Sequence, residues 1–200
     1  IYIVTEKGDS YYGTAASDSW QKIEPVLSND QDEAGWTGYT GSLEIKSIHV
    51  SPDASGTASG LPRQCIVFVD GNASCAGMNN YGQHGSGYVN SNWDWALADF
   101  NLPVYFPSGI SSDIETMALT KTSTCALFGN GSVYCWGAND VGQLGDGTVC
   151  QGGSYANNCN GNKAKPIIYD PVILPAGQTA IALWMTDHSD DEGYCTLLTN

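Results

Sequence analysis

Basic residues are scarce in this sequence of 200 residues. Lysine and arginine together number 7, against 21 aspartates and glutamates, and the formal net charge at pH 7 is -14. Nucleic-acid binding depends on clusters of cationic side chains that neutralise phosphates, so this excess of negative charge repels DNA and RNA. We therefore expect no nucleic acid among the partners of this protein.

Long hydrophobic runs and helical stripes of apolar residues are also missing. No stretch approaches the run of about eighteen apolar residues that a membrane-spanning helix needs, so the sequence predicts no membrane span. What the chain has instead is 24 glycines and a hydrophobic fraction of 42%. Frequent glycines between short apolar segments are typical of strands joined by tight turns, and the sequence therefore predicts an all-β folded chain.

Two segments of the chain repeat each other closely. Residues 65–87 read CIVFVDGNASCAGMNNYGQHGSG and residues 125–147 read CALFGNGSVYCWGANDVGQLGDG. They share both cysteines, a turn glycine and a Gly-Gln-x-Gly tail, and such self-similarity indicates a stacked or radial repeat. A Pro-Val marker recurs at residues 103–109 and 171–177, and residues 2–13 follow the same hairpin outline without cysteines. Each unit predicts a strand, a glycine turn and a second strand.

The tails of these units resemble a known repeat. Residues 136–139 read Trp-Gly-Ala-Asn and residues 142–145 read Gly-Gln-Leu-Gly, which match the signatures of the regulator of chromosome condensation family. Residues 76–85 match in part, with Ala76 in the tryptophan position and His84 in the leucine position. The resemblance implies β-propeller blades of four antiparallel strands, with loops on two faces available for binding.

We expect residues 1–200 to form a single propeller segment. Its repeats are expected at the following residues: about 1–64, 65–124 and 125–194, with 195–200 beginning an incomplete repeat. Three repeats are fewer than closed propellers typically have, and an open set leaves sheet edges and apolar faces uncovered. Two alternatives stay open: the sequence is part of a larger propeller, which we favour, or it is a subunit that neighbours complete into a ring or filament.

The spacing of four cysteines predicts disulfide bonds within single hairpins. Cys65 and Cys75 have the same separation as Cys125 and Cys135, and each pair falls on the facing strands of one predicted hairpin. Opposed residues of antiparallel strands lie about 4.5 to 5.5 Å apart, which suits a disulfide. Zinc is the alternative, but the pairs lack the short spacing of zinc ligands. Because disulfides indicate an oxidising compartment, we expect an extracellular or cell-surface location.

Three further cysteines lie outside these pairs. Cys150 and Cys159 bracket a polar insertion, and we predict that they form a third disulfide. Cys195 aligns with Cys125, because residues 194–200 follow the outline of the earlier unit. We expect its partner beyond residue 200, on the strand that completes the hairpin. A neighbouring repeat or subunit that completes the blade at Cys195 is therefore a predicted partner.

Two asparagines lie in glycosylation sequons near the predicted hairpin turns. Asn72 is followed by Ala and Ser, and Asn130 by Gly and Ser. A glycan on a hairpin turn projects into water, so we predict both as glycosylation sites of a secreted protein. The alternative is that asparagine serves only as a turn residue.

Signatures of catalysis and metal binding are lacking. His49, His84 and His188 lie on separate repeats with no recognisable Ser or Asp arrangement, and no nucleophile elbow, phosphate loop or zinc-protease helix occurs. The acidic segments 30–35 and 187–193 offer oxygen ligands for Ca²⁺, but neither completes the roughly twelve-residue calcium loop. We therefore expect no catalytic residue and no metal site, with Ca²⁺ as the one candidate cofactor.

These observations favour a non-catalytic extracellular module that binds a protein or glycan partner on a propeller face. It would serve as a surface adhesin or as a structural component of an extracellular assembly such as a filament. Aromatic residues outside the motifs, including Trp93, Trp95 and Tyr105, are candidates for the binding face. A secreted inhibitor of a hydrolase and a polysaccharide-active enzyme remain as alternatives. The paired cysteines and the negative charge disfavour the nucleotide-exchange role that the resemblance also implies.

Overall fold

The computed structural model describes the following residues: 2–4, 10–12, 21–23, 44–51, 63–87, 103–106, 109–110, 113–149, 170–186 and 193–199. Within this part of the chain the backbone forms eleven β-strands and no helix. A membrane-spanning helix is accordingly not found among these residues. The all-β fold class predicted from the sequence is confirmed.

The strands form four antiparallel sheets, and every strand pairs with its neighbour along the chain. The first sheet contains β1 (Tyr2–Val4), β2 (Ser10–Tyr12) and β3 (Gln21–Ile23), the second β4 (Ile45–Val50), β5 (Gln64–Phe68) and β6 (Ala73–Ala76), the third β7 (Ile114–Leu119), β8 (Ser123–Phe128) and β9 (Val133–Gly137), and the fourth β10 (Ala180–Thr186) and β11 (Gly193–Leu198). Such meanders in succession are the units of a propeller.

The fourth strand predicted for each blade is reduced to a single bridge in two sheets. Pro103 forms an antiparallel bridge with Ser74 of β6, and Pro171 forms the same bridge with Tyr134 of β9. Proline has no N–H to donate to a ladder, which explains why regular pairing does not extend along these segments. Within the described residues, the second and third sheets therefore have three strands and one bridge where the sequence predicted four strands.

The second, third and fourth sheets each draw their strands from two successive expected repeats. β4 lies within the repeat expected at residues 1–64, whereas β6 and nearly all of β5 lie within the next repeat. The same division separates β7 from most of β8, and β10 from most of β11. Because consecutive repeats share a sheet, each repeat is interlocked with the one that follows it.

The glycine turns of the β5–β6 and β8–β9 hairpins have the same geometry. Gly71 and Gly131 both have a φ of 80°, a left-handed conformation that glycine adopts without a Cβ clash. Their N–H groups donate to the carbonyl oxygens of Phe68 and Phe128, at 2.9 and 2.8 Å. These are three-residue hairpin loops that end in a left-handed glycine. The turn expected at residues 129–131 is therefore present.

The four hairpin cysteines face each other in register. Cys65 opposes Cys75 across β5 and β6, and Cys125 opposes Cys135 across β8 and β9. The sulfur atoms lie 2.02 Å apart in the first pair and 1.95 Å apart in the second, so both pairs form disulfide bonds. All four residues are buried. The bonds therefore lie between the sheets and not at the surface.

Several sequence predictions fall outside the described residues. They are the Cys150–Cys159 disulfide, His188, the acidic segment 30–35, residues 187–192 of the second acidic segment, and the candidate aromatics Trp93 and Trp95.

The hydrophobic core lies between successive sheets. One cluster joins the second sheet to the third, and includes Cys65, Val67, Ala73, Cys75, Met117, Leu119, Phe128 and Trp136. The other joins the opposite face of the third sheet to the fourth, and includes Cys125, Leu127, Val133, Cys135, Leu183, Tyr194 and Leu198. Because side chains alternate between the faces of a strand, the third sheet buries one face against each neighbour.

A buried arginine connects the second sheet to the third. Arg63 precedes β5 and is 3% exposed. Its guanidinium donates to the carbonyl oxygens of Thr120 and Ser123, both at 2.7 Å, and to the hydroxyl of Thr124 at 2.6 Å. The hydroxyl of Tyr194 on β11 reaches the side-chain oxygens of Ser123 and Thr120, at 2.9 and 3.3 Å. The β7–β8 turn of the third sheet is therefore hydrogen-bonded to residues of both the second and the fourth sheet.

Replacing Arg63 tests whether this polar connection stabilises the fold. We expect Arg63→Ala to lower the free energy of unfolding by roughly 3 kcal/mol or more, because several charge-assisted hydrogen bonds are lost and buried carbonyls are left unpaired. Urea unfolding measures the change. The matched control is Lys46→Ala, since Lys46 joins β4 to Glu115 of β7 at the surface, with 3.0 Å between Nζ and Oε2. We expect the control to cost less than about 1 kcal/mol. Equal losses would contradict the role of Arg63.

Candidate binding site

The Gly-Gln-x-Gly tails form two equivalent loops. The first motif loop comprises residues 77–87 after β6, and the second motif loop comprises residues 137–147 after β9. In the first loop, Oε1 of Gln83 accepts a hydrogen bond from the N–H of Tyr81 at 2.7 Å, and its Nε2 donates to the carbonyl of Lys121 at 3.3 Å. Gln143 has the same role in the second loop, where Oε1 accepts from the N–H of Val141 at 3.0 Å. The glutamine therefore holds the backbone of its own loop in both motifs.

An asparagine in each loop holds the following backbone. Oδ1 of Asn79 accepts from the N–H of His84 at 2.9 Å, and Oδ1 of Asn139 accepts from the N–H of Leu144 at 3.1 Å. Both asparagines are buried. Sequence reasoning assigned no contact to them, although the fixed place of asparagine in the Trp-Gly-x-Asn signature was a signal for one.

A tryptophan from the third sheet packs against the first motif loop. Trp136 is fully buried, and its indole N–H donates to the carbonyl oxygen of Gln83 at 3.0 Å. A Cβ added to Gly85 would lie 2.7 Å from Nε1 of Trp136, and 3.1 Å from Cγ1 of Val104. Glycine is therefore required at this position to admit the indole. We call Gln83, Gly85, Val104 and Trp136 the closed seam.

The second motif loop repeats these parts without an indole. Gln143, Gly145 and Val172 occupy the corresponding positions, and we call them the open seam. The atoms nearest to a Cβ added to Gly145 belong to Val172, the closest at 3.1 Å. Gly145 is exposed and Gln143 is half-buried, whereas Gly85 of the closed seam is buried. The same loop is therefore covered in one seam and uncovered in the other.

A cavity of about 330 Å³ lies at the open seam. Its walls include the three open-seam residues on one side and Leu183, Tyr194 and Cys195 of the fourth sheet on the other. The burial of Tyr194 raises the pKa of its phenol, so the hydroxyl is neutral at physiological pH. Apolar walls with few polar groups suit the side chain of a partner better than a charged ligand.

One edge of β11 is unpaired within the described part of the chain. β11 pairs with β10, and no described strand pairs with its other edge. Cys195 lies on β11 opposite Trp184 and is the free cysteine among the described residues. An unpaired edge presents backbone N–H and C=O groups to another strand.

The face of the fourth sheet that points away from the third sheet is apolar and exposed. Trp184 is 48% exposed and Leu197 is 53% exposed. They share this face with Cys195, because Trp184 is its partner in register and Leu197 follows it by two residues. The corresponding residues of the third sheet, Ala118 and Leu127, are each 5% exposed. The outer face of the fourth sheet is thus uncovered where the third sheet is covered.

The two sequon asparagines have different surroundings. Asn130 is exposed at the β8–β9 turn, and its Oδ1 accepts hydrogen bonds from the N–H and the hydroxyl of Ser132, at 2.9 and 2.6 Å. Asn72 is half-buried, and the Ala73 and Ser74 that follow it are fully buried in β6. The surroundings of Asn130 therefore suit a glycan, and those of Asn72 do not.

Two described histidines are held in their neutral form. Burial and the nearby charge of Arg63 lower the pKa of His84 from 6.5 to about 3, and Nε2 of His84 has no hydrogen-bond partner among the described residues. Burial lowers the pKa of His49 to about 4. The described residues contain no cluster of three or more His, Cys, Asp or Glu that could hold a metal ion.

Comparison with known proteins gives a family for the motif loops. The family model of the Regulator of chromosome condensation (RCC1) repeat matches residues 117–143, from β7 into the second motif loop. This chain carries RCC1-type propeller repeats. No curated protein matches the chain.

Solved structures of a human protein and a yeast protein are similar to this chain. Human WBSCR16 is 13% identical with a TM-score of 0.57, and the match covers 100% of this chain and 42% of that protein. Prp20p from Saccharomyces cerevisiae, whose structure was reported together with its binding to Gsp1p and histones, is 19% identical over 70% of this chain, with a TM-score of 0.47. Yeast RCC1 (Prp20) bound to Kap60 is 17% identical over 70% of this chain, with a TM-score of 0.44. This chain spans 28% of each yeast protein.

Replacing His84 by the residue of the second motif loop tests the effect of its burial. In the unfolded state His84 binds a proton below a pH of about 6.5, whereas in the folded state it does so only near 3. The folded state therefore loses stability as the pH falls between these values, by up to roughly 1.4 kcal/mol per pH unit. We expect His84→Leu to be more stable than the wild-type chain, with a difference that grows from pH 7 to pH 4. Urea midpoints across this range measure it, and a difference independent of pH would contradict the assignment.

Proposed function

We propose that this chain is a non-catalytic propeller module that acts outside the cell as a structural or adhesive component of a protein assembly. The observation that carries the proposal is the exposed apolar face of the fourth sheet around Trp184 and Leu197. Exposed large apolar side chains that share one face mark sites of protein association. This face also includes Cys195 on the same strand.

The occupant we propose for this face is a further propeller unit of the same repeat type. Two interfaces already present in the fold support this choice, because one face of the second sheet packs on the third, and one face of the third packs on the fourth. The residues of the exposed face occupy the positions on the fourth sheet that buried residues occupy on the third sheet. A head-to-tail contact of this kind produces a ring when it closes and a filament when it does not.

The disulfide bonds and the exposed sequon support an extracellular location. Two buried disulfides each join the strands of one hairpin, and such bonds persist in oxidising compartments. The exposed sequon at Asn130 is compatible with passage through a secretory pathway. The net charge of -14 keeps such a module soluble and disfavours contact with nucleic acid.

Replacing Trp184 tests the association. We expect the purified chain to self-associate reversibly. Trp184→Ser should raise the dissociation constant by about tenfold or more, because tryptophan anchors dominate the energy of interfaces. Sedimentation equilibrium measures both values. The matched control is Val69→Ser, since Val69 is 47% exposed but lies in the turn after β5. A wild-type chain that stays monomeric at every concentration, or equal effects of the two substitutions, would argue against the proposal.

Secretion from a eukaryotic cell tests the location and the sequons. We expect the secreted chain to carry an N-glycan at Asn130 and none at Asn72, because the residues after Asn72 are buried in β6. Intact mass before and after removal of the glycan measures the modification. Asn130→Gln should abolish the mass shift, and Asn72→Gln should leave it unchanged. Retention of the chain in the cell with reduced cysteines would count against an extracellular role.

A further inference from the structure

We propose that the open seam accepts one more antiparallel strand of the β9 type. In this arrangement the tryptophan of the added strand fills the cavity beside Gly145, and its cysteine forms a disulfide with Cys195. The inference rests on the proposed function, since it names the element by which a further unit joins the fourth sheet.

The third sheet shows what the added strand must carry. On β9, Cys135 pairs with Cys125 of β8, and the next residue, Trp136, points to the opposite face and enters the closed seam. Cys195 occupies the position on β11 that Cys125 occupies on β8. Cys195 lies opposite Trp184 of β10, and Cys125 lies opposite the corresponding residue of β7, Ala118. A strand that pairs with β11 in the same register therefore places the cysteine of a Cys-Trp dipeptide opposite Cys195 and the tryptophan in the cavity.

The open seam has residues that correspond to those that meet the indole in the closed seam. In the closed seam, the carbonyl of Gln83 accepts the indole N–H, and Gly85 leaves room for the ring. In the open seam, Gln143 and Gly145 border the cavity of about 330 Å³. The backbone around the two glycines is alike, with φ values of 74° and 66°. The exposure of Gly145 is what an unfilled indole position predicts.

The edge of β11 that is unpaired among the described residues favours an extended strand over a small molecule as the occupant of the open seam. Unpaired N–H and C=O groups along an edge bind an extended peptide by strand addition, and pockets for alternate side chains give the specificity. Tyr194 packs toward the third sheet, so the side chain of Cys195, which follows it and also borders the cavity, points to the other face of β11. Only an extended segment presents adjacent residues to both faces at once.

The covalent step is a thiol–disulfide exchange. The probe is a synthetic peptide with the sequence of residues 129–139, in which the cysteine is a mixed disulfide with glutathione. The thiolate of Cys195 attacks the peptide sulfur, the bond between the peptide and glutathione breaks, and the glutathione thiolate leaves. It takes up the proton that Cys195 lost, so no further oxidant is needed.

The rate of adduct formation with the 200-residue chain tests the proposal. We expect the peptide to react at least about tenfold faster than a peptide in which Ala replaces the tryptophan, because the indole anchors the strand before exchange. A peptide with the tyrosine and cysteine exchanged should also react slowly, since its cysteine points to the wrong face. In denaturant all three peptides should react at equal rates. Mass spectrometry of the adduct identifies the cysteine.

Two protein variants separate binding from chemistry. Cys195→Ser should bind the labelled peptide without forming an adduct, as followed by fluorescence anisotropy. Leu183→Trp places a large ring in the cavity wall and should abolish the preference for tryptophan. Equal rates for the tryptophan and alanine peptides with the native chain, or a Cys195–Cys195 dimer as the main product, would overturn the inference. If the chain self-associates through Trp184 but shows no peptide preference, this inference fails and the proposed function stands.

Discussion

The carbonyl oxygen of Gln83 accepts hydrogen bonds from three side chains. The donors are Arg63 at 3.1 Å, Thr124 at 2.7 Å and Trp136 at 3.0 Å. Two of them belong to the third sheet, whereas Gln83 belongs to the loop that leaves the second sheet. A buried acceptor shared by several donors fixes position more narrowly than apolar packing does, because every misplacement leaves a polar group unpaired. This shared carbonyl sets how one sheet meets the next.

Related residues lie where the third sheet meets the fourth, because Gln143, Gly145 and Val172 take the places of Gln83, Gly85 and Val104. The third sheet buries one face against the second sheet and the other against the fourth, and the disulfides in the hairpins of the second and third sheets are buried. The fourth sheet follows the same plan, but its outer face and the edge of β11 are uncovered within the described part of the chain. The surface available for association is therefore an unfilled copy of a junction that the fold already contains.

Local features of the fold could be predicted from the sequence. The spacing of Cys125 and Cys135 around a Gly-Asn-Gly turn fixes a hairpin and its register, because both constraints act over about ten residues. Gln143 likewise acts within its own loop, where its Oε1 accepts from the N–H of Val141. These predictions succeed because the residues that interact are close together in the chain.

Contacts between sheets could not be predicted in the same way. Arg63 reaches Thr120, a residue 57 positions away, and no repeat marks the pair. The fourth strand was expected from the family resemblance, but within the described residues its place is taken by the bridges at Pro103 and Pro171. The open seam was also missed, because the sequence around Gly145 is nearly the same as that around Gly85, and only the surroundings in the fold distinguish the two.

Hydrogen–deuterium exchange of the isolated chain distinguishes an open edge on β11 from a covered one. β8 pairs with β7 and β9 on its two edges, whereas β11 pairs with β10 on one edge within the described residues. Unpaired amides exchange faster than those bonded within a sheet, so we expect much faster exchange in residues 193–198 than in residues 123–128. Equal protection of the two strands in a monomer would contradict the open edge and the unfilled junction beside it.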